Sequence, residues 1–538
     1  MSTADGPSTT CDAVVVGAGP NGLVAATALA DAGWDVVLLE AQDEVGGAVR
    51  SAEVTAPGFV TDLFSAFYPL AAASPVIRGL DLEQHGLRWS RASDPVGHAL
   101  PDGRGAVVRA DAQETAAGLD AAAPGDGAAW LAMVEQWSRV RDPLLDALFT
   151  PFPPVRAATR LLARTRTRGA LDLARLAALS VRRLGHERFA GEEARVLLTG
   201  NAMHSDLPPD GAGSALYGWL LAMLAQDVGF PVPEGGAGAL ASALRRRAEA
   251  AGVRVRCSAP VSEVLVEHGR ATGVRTEDGS RVRARRGVLA DVPAPVLYGE
   301  LLSAVDLPPL LRSDLDRFQW DPATLKVNWA LDGPVPWVAP EVRGAGTVHL
   351  GADDDGLVDV GADLTVGRMP RRPFLLFGQM TTADPRRSPA GTESAWAYTH
   401  LPRALAGDAD AVHEQVGRVE AAVEEVAPGF LGAVVGRHVQ DPSALEAGDR
   451  ALSLGALNGG TAALHQQLVL RPTPGPGRPE TPVPGLFLAG SSAHPGGGVH
   501  GACGWNAALA ALRQRGPLGT VRAALARTVW SRVLSDPR

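Results

Sequence analysis

The stretch from Asp12 to Arg50 limits the possible fold more than any other part of the chain. Ala13 to Val16 is a short apolar run of the kind that forms a buried strand, and it breaks at Gly17-Ala-Gly19-Pro20-Asn21-Gly22. An Ala/Leu-rich helix follows, stopping at Gly33, and a second apolar strand, Val36 to Leu39, ends on Glu40. Strand, glycine turn, helix, strand and acid in that order form a dinucleotide-binding βαβ unit. Gly17 makes the tight turn, Gly19 lets backbone approach a pyrophosphate, and Gly22 lets helix and strand pack closely. The helix N-terminus offers free N–H groups and partial positive charge to phosphate. Glu40, eighteen residues past Gly22, is placed to accept ribose hydroxyls.

The segment after Glu40 runs through Glu44, Gly46 and Gly47 to Arg50. It resembles the second diphosphate-contacting motif of the large flavoprotein superfamily that includes amine oxidases and phytoene desaturases. Near the C-terminus, Pro484 to Gly490 is a short buried strand ending in glycine, and Ser491 to Gly504 is a glycine-rich loop leading into a helix. Its His494-Pro-Gly-Gly-Gly498-Val499 is similar to the flavin-contacting signature of phytoene-desaturase-type oxidoreductases. The likeness covers most of the chain. It is closest to the branch resembling pyridine nucleotide-disulfide oxidoreductase domain-containing protein 2, although the chain has no CxxC pair for disulfide chemistry.

The resemblance implies FAD as cofactor and an α/β fold: a discontinuous Rossmann-like FAD-binding domain of the GxGxxG type, with a sheet-plus-helices substrate domain. It assigns the cofactor to Gly17, Gly19, Pro20, Asn21, Gly22, Glu40 and Ala41, then to Gly46, Gly47 and Arg50. Val261, on the strand expected to pass the adenine, and Gly490, Ser491, Gly498 and Val499 complete the set. The implied divisions are 1–105, 232–300 and 454–515 for the cofactor, 106–231 for a helical lid, 301–453 for the substrate sheet and 516–538 for a terminal helix. Carotenoid desaturases usually show GGR where this chain has Gly46-Gly47-Ala48. They also carry a Gly-Pro stretch where it has Leu63 to Tyr68, and these departures weigh against a carotenoid substrate.

Composition narrows the function. A net charge of −9 weighs against nucleic acid as a partner. Neither a signal-peptide pattern nor a transmembrane-length apolar run is evident, so a cytoplasmic location is expected. Cys11, Cys257 and Cys503 have no metal spacing. Pro143 to Leu184 combines a Phe/Pro-rich turn with arginine-rich amphipathic helices. It reads as a lid packed on its own domain, with a peripheral membrane contact as the alternative. The oligomeric state stays open, a dimer included.

Arginine supplies nearly all the positive charge, and Lys326 is the only lysine. In Thr324-Leu-Lys326-Val-Asn328 it resembles the strand lysine that holds a water at the flavin of amine oxidases, and it is the catalytic candidate. The competing reading is a surface lysine on an edge strand. Asn328 is expected on the same side of that strand. His204 is a further candidate, and His494, His500 and Cys503 have the chemistry to tether a flavin covalently. The expected reaction is hydride removal from a bulky, largely apolar organic substrate to form a double bond, with oxygen or a quinone as acceptor. Amine-type C–N oxidation, an isomerase using reduced FAD, and a flavin-binding interaction protein are the alternatives.

Overall fold

The computed structural model describes residues 8–514 and 516–535. Its first sheet has seven strands, drawn from three separated parts of the chain. Ser8–Val16 lies between Val36–Leu39 and Arg281–Ala290, parallel to both; Arg254–Arg256 extends one side and Leu486–Leu488 the other, also in parallel. The hairpin Val261–Glu267 and Arg270–Thr276 adds to the N-terminal half of Arg281–Ala290 in antiparallel fashion. All four residues of Val36–Leu39 are buried, which is why such a strand is continuously apolar in sequence.

The helix Pro20–Asp31 starts with proline at its first position, where the missing N–H costs nothing, and Gly33 follows its end at φ +78°. With the helices Ala237–Ala250 and Ala502–Arg513, it packs Leu23, Leu29, Leu240, Leu244 and Ala507 against one face of the sheet. The other face buries Val14, Val37, Val288 and Leu297.

The second sheet also has seven strands, in the order Val434–Gln440, Ala323–Leu331, Glu393–Leu401, Leu375–Gln379, Ala345–Leu350, Asp94–Ala99 and Gly105–Val108. All its pairings are antiparallel except that of Asp94–Ala99 with Ala345–Leu350. The Asp94–Val108 hairpin therefore belongs to this sheet, although it follows directly on the first cofactor segment. Trp329, Phe377 and Phe430 fill the core beneath, covered by the helix Ala409–Val426.

Residues 112–227 form six helices around a core containing Trp130, Trp137 and Trp219. The helix Val155–Ala178 bends at Arg166, whose φ is +55°. Arg160, Arg168 and Arg175 pair with Asp146, Asp172 and Glu187, while Val155, Leu162 and Leu171 are exposed. Among the described residues no helix is long and apolar enough to cross a membrane.

Candidate dinucleotide cleft

At the carboxyl ends of the parallel strands lies a cleft, the position where open α/β sheets bind ligands. Eleven of the fifteen residues expected around the cofactor line it: Gly17, Gly19, Pro20, Asn21, Glu40, Ala41, Gly47, Val261, Ser491, Gly498 and Val499. Gly17 turns at φ +91°, and a Cβ on Gly22 would lie 2.0 Å from the Gly17 carbonyl oxygen, so helix and turn touch through backbone alone. A Cβ on Gly47 would meet Gly19 Cα at 3.2 Å, which brings the second glycine pair directly onto the first turn.

Glu40 accepts hydrogen bonds from the Ala18 N–H at 2.7 Å and the Gln42 N–H at 2.9 Å. These fix the carboxylate at the end of its strand and leave lone pairs for hydroxyl donors. Asn21 presents a buried Oδ1 that has no partner within the protein. Free N–H groups at a helix N-terminus, a fixed carboxylate for hydroxyl donors and a glycine turn without side chains together fit a dinucleotide.

Four expected residues stand behind the lining. The Gly22 N–H points to a side chain the sequence did not single out, donating to Asp291 Oδ2 at 2.7 Å. A Cβ on Gly490 would meet Asp291 Oδ1 at 3.1 Å and Val292 O at 2.9 Å. Gly46 donates its N–H to Ala18 O at 2.9 Å. Arg50, expected to bond phosphate, donates Nε to Gly47 O at 3.0 Å and Nη2 to Gly448 O, and it lies over the Phe64 ring. Its donors brace the backbone on both sides of the cleft.

Asp291, Glu300 and Asp449 are the cleft acids that sequence reading missed. Asp291 is the first residue past the strand Arg281–Ala290, and the pairing of Ala290 with Val16 puts it beside Gly17. The signal available in sequence was its place at the end of an apolar strand after the second half of the fold. Burial pushes its carboxyl up to about 8, and burial raises that of Asp449 as well. Arg471, also unanticipated, is fully buried and holds the Ser491 turn by donating to its carbonyl at 2.8 and 3.2 Å.

Lys326 is buried in the second sheet between Glu393–Leu401 and Val434–Gln440, so it is not a surface lysine on an edge. Its Nζ donates to the carbonyls of Asp62 and, at 3.2 Å, Phe64, and sits 5.0 Å from the centre of the Trp396 ring. Burial lowers its pKa to about 7. Asn328 turns to His438 O and Gln440 Oε1. His204 pairs with His349 at 2.9 Å, away from the cleft, and burial lowers it to about 3. His494, His500 and Cys503 are not among the cleft residues. His494 bonds Thr150 O, His500 uses both ring nitrogens on backbone, and Cys503 Sγ donates to Ala493 O.

The flavin containing amine oxidoreductase family matches residues 22–510. A Rattus norvegicus protein, pyridine nucleotide-disulfide oxidoreductase domain-containing protein 2, is 30% identical over 550 residues, spanning 93% of either chain. The zeta-carotene-forming phytoene desaturase of Myxococcus xanthus is 26% identical over 72% of each. Among solved structures, an engineered putrescine oxidase shares the fold with a TM-score of 0.61 at 20% identity, covering 95% of this chain and all of that one.

Proposed function

Since the chain belongs to the flavin containing amine oxidoreductase family and is an FAD-dependent oxidoreductase, we propose that it removes a hydride from a bulky, largely apolar organic molecule and leaves a carbon–carbon double bond. The observation that carries this reading is the likeness to a phytoene desaturase over 72% of the chain. The lining of the cleft by Leu452, Leu457 and Val499, past the glycine turn, is consistent with it.

In this reading the glycine turn, Asn21 and Ser491 hold the diphosphate, Glu40 the ribose and Val261 the adenine. When bound, FAD supplies the two-electron acceptor. The protein orients the substrate and excludes water. Lys326 serves the acceptor half-reaction: its ammonium favours oxygen as it gains electrons, and near neutral pH it also holds a proton at Nζ.

Anaerobic titration of the FAD-loaded protein with a series of isoprenoid alkenes and a series of primary amines tests the proposal. Bleaching of the visible flavin band by the alkenes is expected; bleaching by amines alone overturns it. The second reading, C–N oxidation, draws on the Trp396 and Tyr398 rings, stacked 6.0 Å apart beside Lys326 as one aromatic wall. On readmitting air to the reduced protein, Lys326→Met is expected to slow reoxidation by roughly tenfold or more. The wild-type rate is expected to fall as pH rises through about 7, because the ammonium is lost there, and the Met variant to show no such step. Equal rates for the two proteins remove Lys326 from the reaction.

A further inference from the structure

The cleft has an unexpected charge balance for a site that takes a diphosphate. Among the described residues lining it, the carboxylates are Glu40, Asp291, Glu300 and Asp449, and the one cation is Arg450. Arg450 is exposed and lies 3.3 Å from Glu300. Arg50 is turned onto Gly47 O and Gly448 O, and the chain's only lysine is bound to the Asp62 and Phe64 carbonyls. The helix N-terminus is therefore the main positive pole available to phosphate.

Asp291 sits on that pole. Its Oδ2 accepts the Gly22 N–H at 2.7 Å and would lie 2.9 Å from a Cβ on Gly19, so the carboxyl group lies directly under the turn that the diphosphate must approach. Every neighbouring element offers it charge of the same sign or none. Glu40 lies at the end of Val36–Leu39, two strands across the sheet, and Asp449 borders the cleft from the segment after the helix Pro442–Gly448. Cys503, on the helix Ala502–Arg513, is a buried neutral thiol pushed up to about 12.

We propose that Asp291 is a binding residue of the dinucleotide site and is protonated when FAD is bound, taking up a proton on binding wherever the free carboxyl is ionised. The proton comes from solvent and resides on the Asp291 carboxyl; no electrons move. As an ionised group Asp291 only accepts hydrogen bonds and repels the doubly negative diphosphate. Once protonated, it keeps one oxygen for the Gly22 N–H and gains an O–H donor for an oxygen ligand. Burial already holds the free carboxyl near pH 8, within reach of that change. The inference rests on the cleft being the FAD site.

The test is equilibrium binding of FAD to the full-length, flavin-depleted protein, followed by flavin fluorescence between pH 6 and pH 9.5. Proton uptake is measured at pH 8.5 by calorimetry in two buffers of different ionisation heat. Affinity is expected to hold steady at the acid end and to weaken by up to about tenfold per pH unit above pH 8, with uptake of a large fraction of a proton. Asp291→Asn is expected to bind FAD with no such slope. A flat wild-type profile with no uptake overturns the inference, and this arm needs no variant. A slope that persists in a folded Asp291→Asn protein assigns the proton elsewhere and overturns it too. Failure of the wild type to bind FAD at any pH is a different result, because it removes the reading of the cleft itself.

Discussion

Asp62, buried outside the cleft lining, and Asp291, half-buried within it, are two carboxylates whose surroundings differ completely. Asp62 is met at 2.7 Å by the guanidinium of Arg387, with neither side chain exposed, and accepts from Ser51 Oγ and the Ala237 N–H as well. Its own carbonyl takes the Lys326 ammonium. Asp291 has one backbone N–H, no cation and two other carboxylates nearby. A buried charge held against a buried counter-ion is a fixed joint, here tying the cofactor segment to the second sheet. A buried acid with so little support changes its protonation state instead. The first kind of group responds to mutation through stability, and the second through pH.

The largest effect is expected where the joint is broken. Arg387→Met leaves the Asp62 carboxylate buried without its counter-ion, a loss of about 3 to 5 kcal/mol in urea-unfolding free energy. Adding Asp62→Asn is expected to recover a substantial part of it, because the stranded charge is removed. If the single variant is as stable as the wild type, Asp62 does not depend on its counter-ion and the contrast with Asp291 disappears.

Gly22→Ala comes next. The added Cβ would lie 2.0 Å from the Gly17 carbonyl oxygen, so the helix must lift from the strand. A cost of about 1 to 3 kcal/mol is expected, together with loss of retained flavin through gel filtration. Retention at the wild-type level shows that the turn does not set the cleft.

These two sites also differ in how far sequence reveals them. The glycine turn was legible because its requirements are local: φ at Gly17, close approach at Gly22, and a strand buried on both faces and therefore apolar throughout. Lys326 stood out through composition, yet its partners Asp62, Phe64 and Trp396 are brought to it only by the pairing of distant strands. Asp291 was missed for the same reason. Nothing around it in sequence says that Ala290 will lie beside Val16. Arg50 illustrates the reverse case: its motif reaches the cleft through Gly47, while its side chain, expected on phosphate, bonds Gly47 O and Gly448 O. Local rules place a backbone; where a long side chain spends its donors is settled by the fold around it.

The pH response of stability sharpens the contrast by a smaller amount per step. Asp291 has its carboxyl raised from the ordinary 3.8 to about 8. Between those values the fold holds a proton that the unfolded chain has released, so this group's contribution to stability falls as pH rises and levels off above about 8. The slope is at most about 1.4 kcal/mol per pH unit. In the flavin-free protein, Asp291→Asn is expected to flatten the decline in unfolding free energy between pH 5 and pH 8. An unchanged slope means that the carboxyl is ionised throughout, and the two acids are then alike in charge.

Arg50→Met is expected to have the smallest effect, and it tests the cleft's unusual charge balance most directly. With its guanidinium spent on two backbone carbonyls, the Glu44 carboxylate at 3.6 Å and the face of Phe64, Arg50 contributes bracing rather than charge to the ligand. FAD affinity is expected to fall only a few-fold, about 1 kcal/mol or less, as for an ordinary hydrogen-bonding brace. The dependence of that affinity on salt is expected to stay unchanged, since no charge–charge contact to phosphate is removed. A loss of a hundredfold with a weaker salt dependence gives the opposite answer. The guanidinium would then swing from Gly448 onto the diphosphate when FAD enters, the cleft would gain the cation it lacks, and Asp291 would have less reason to take up a proton.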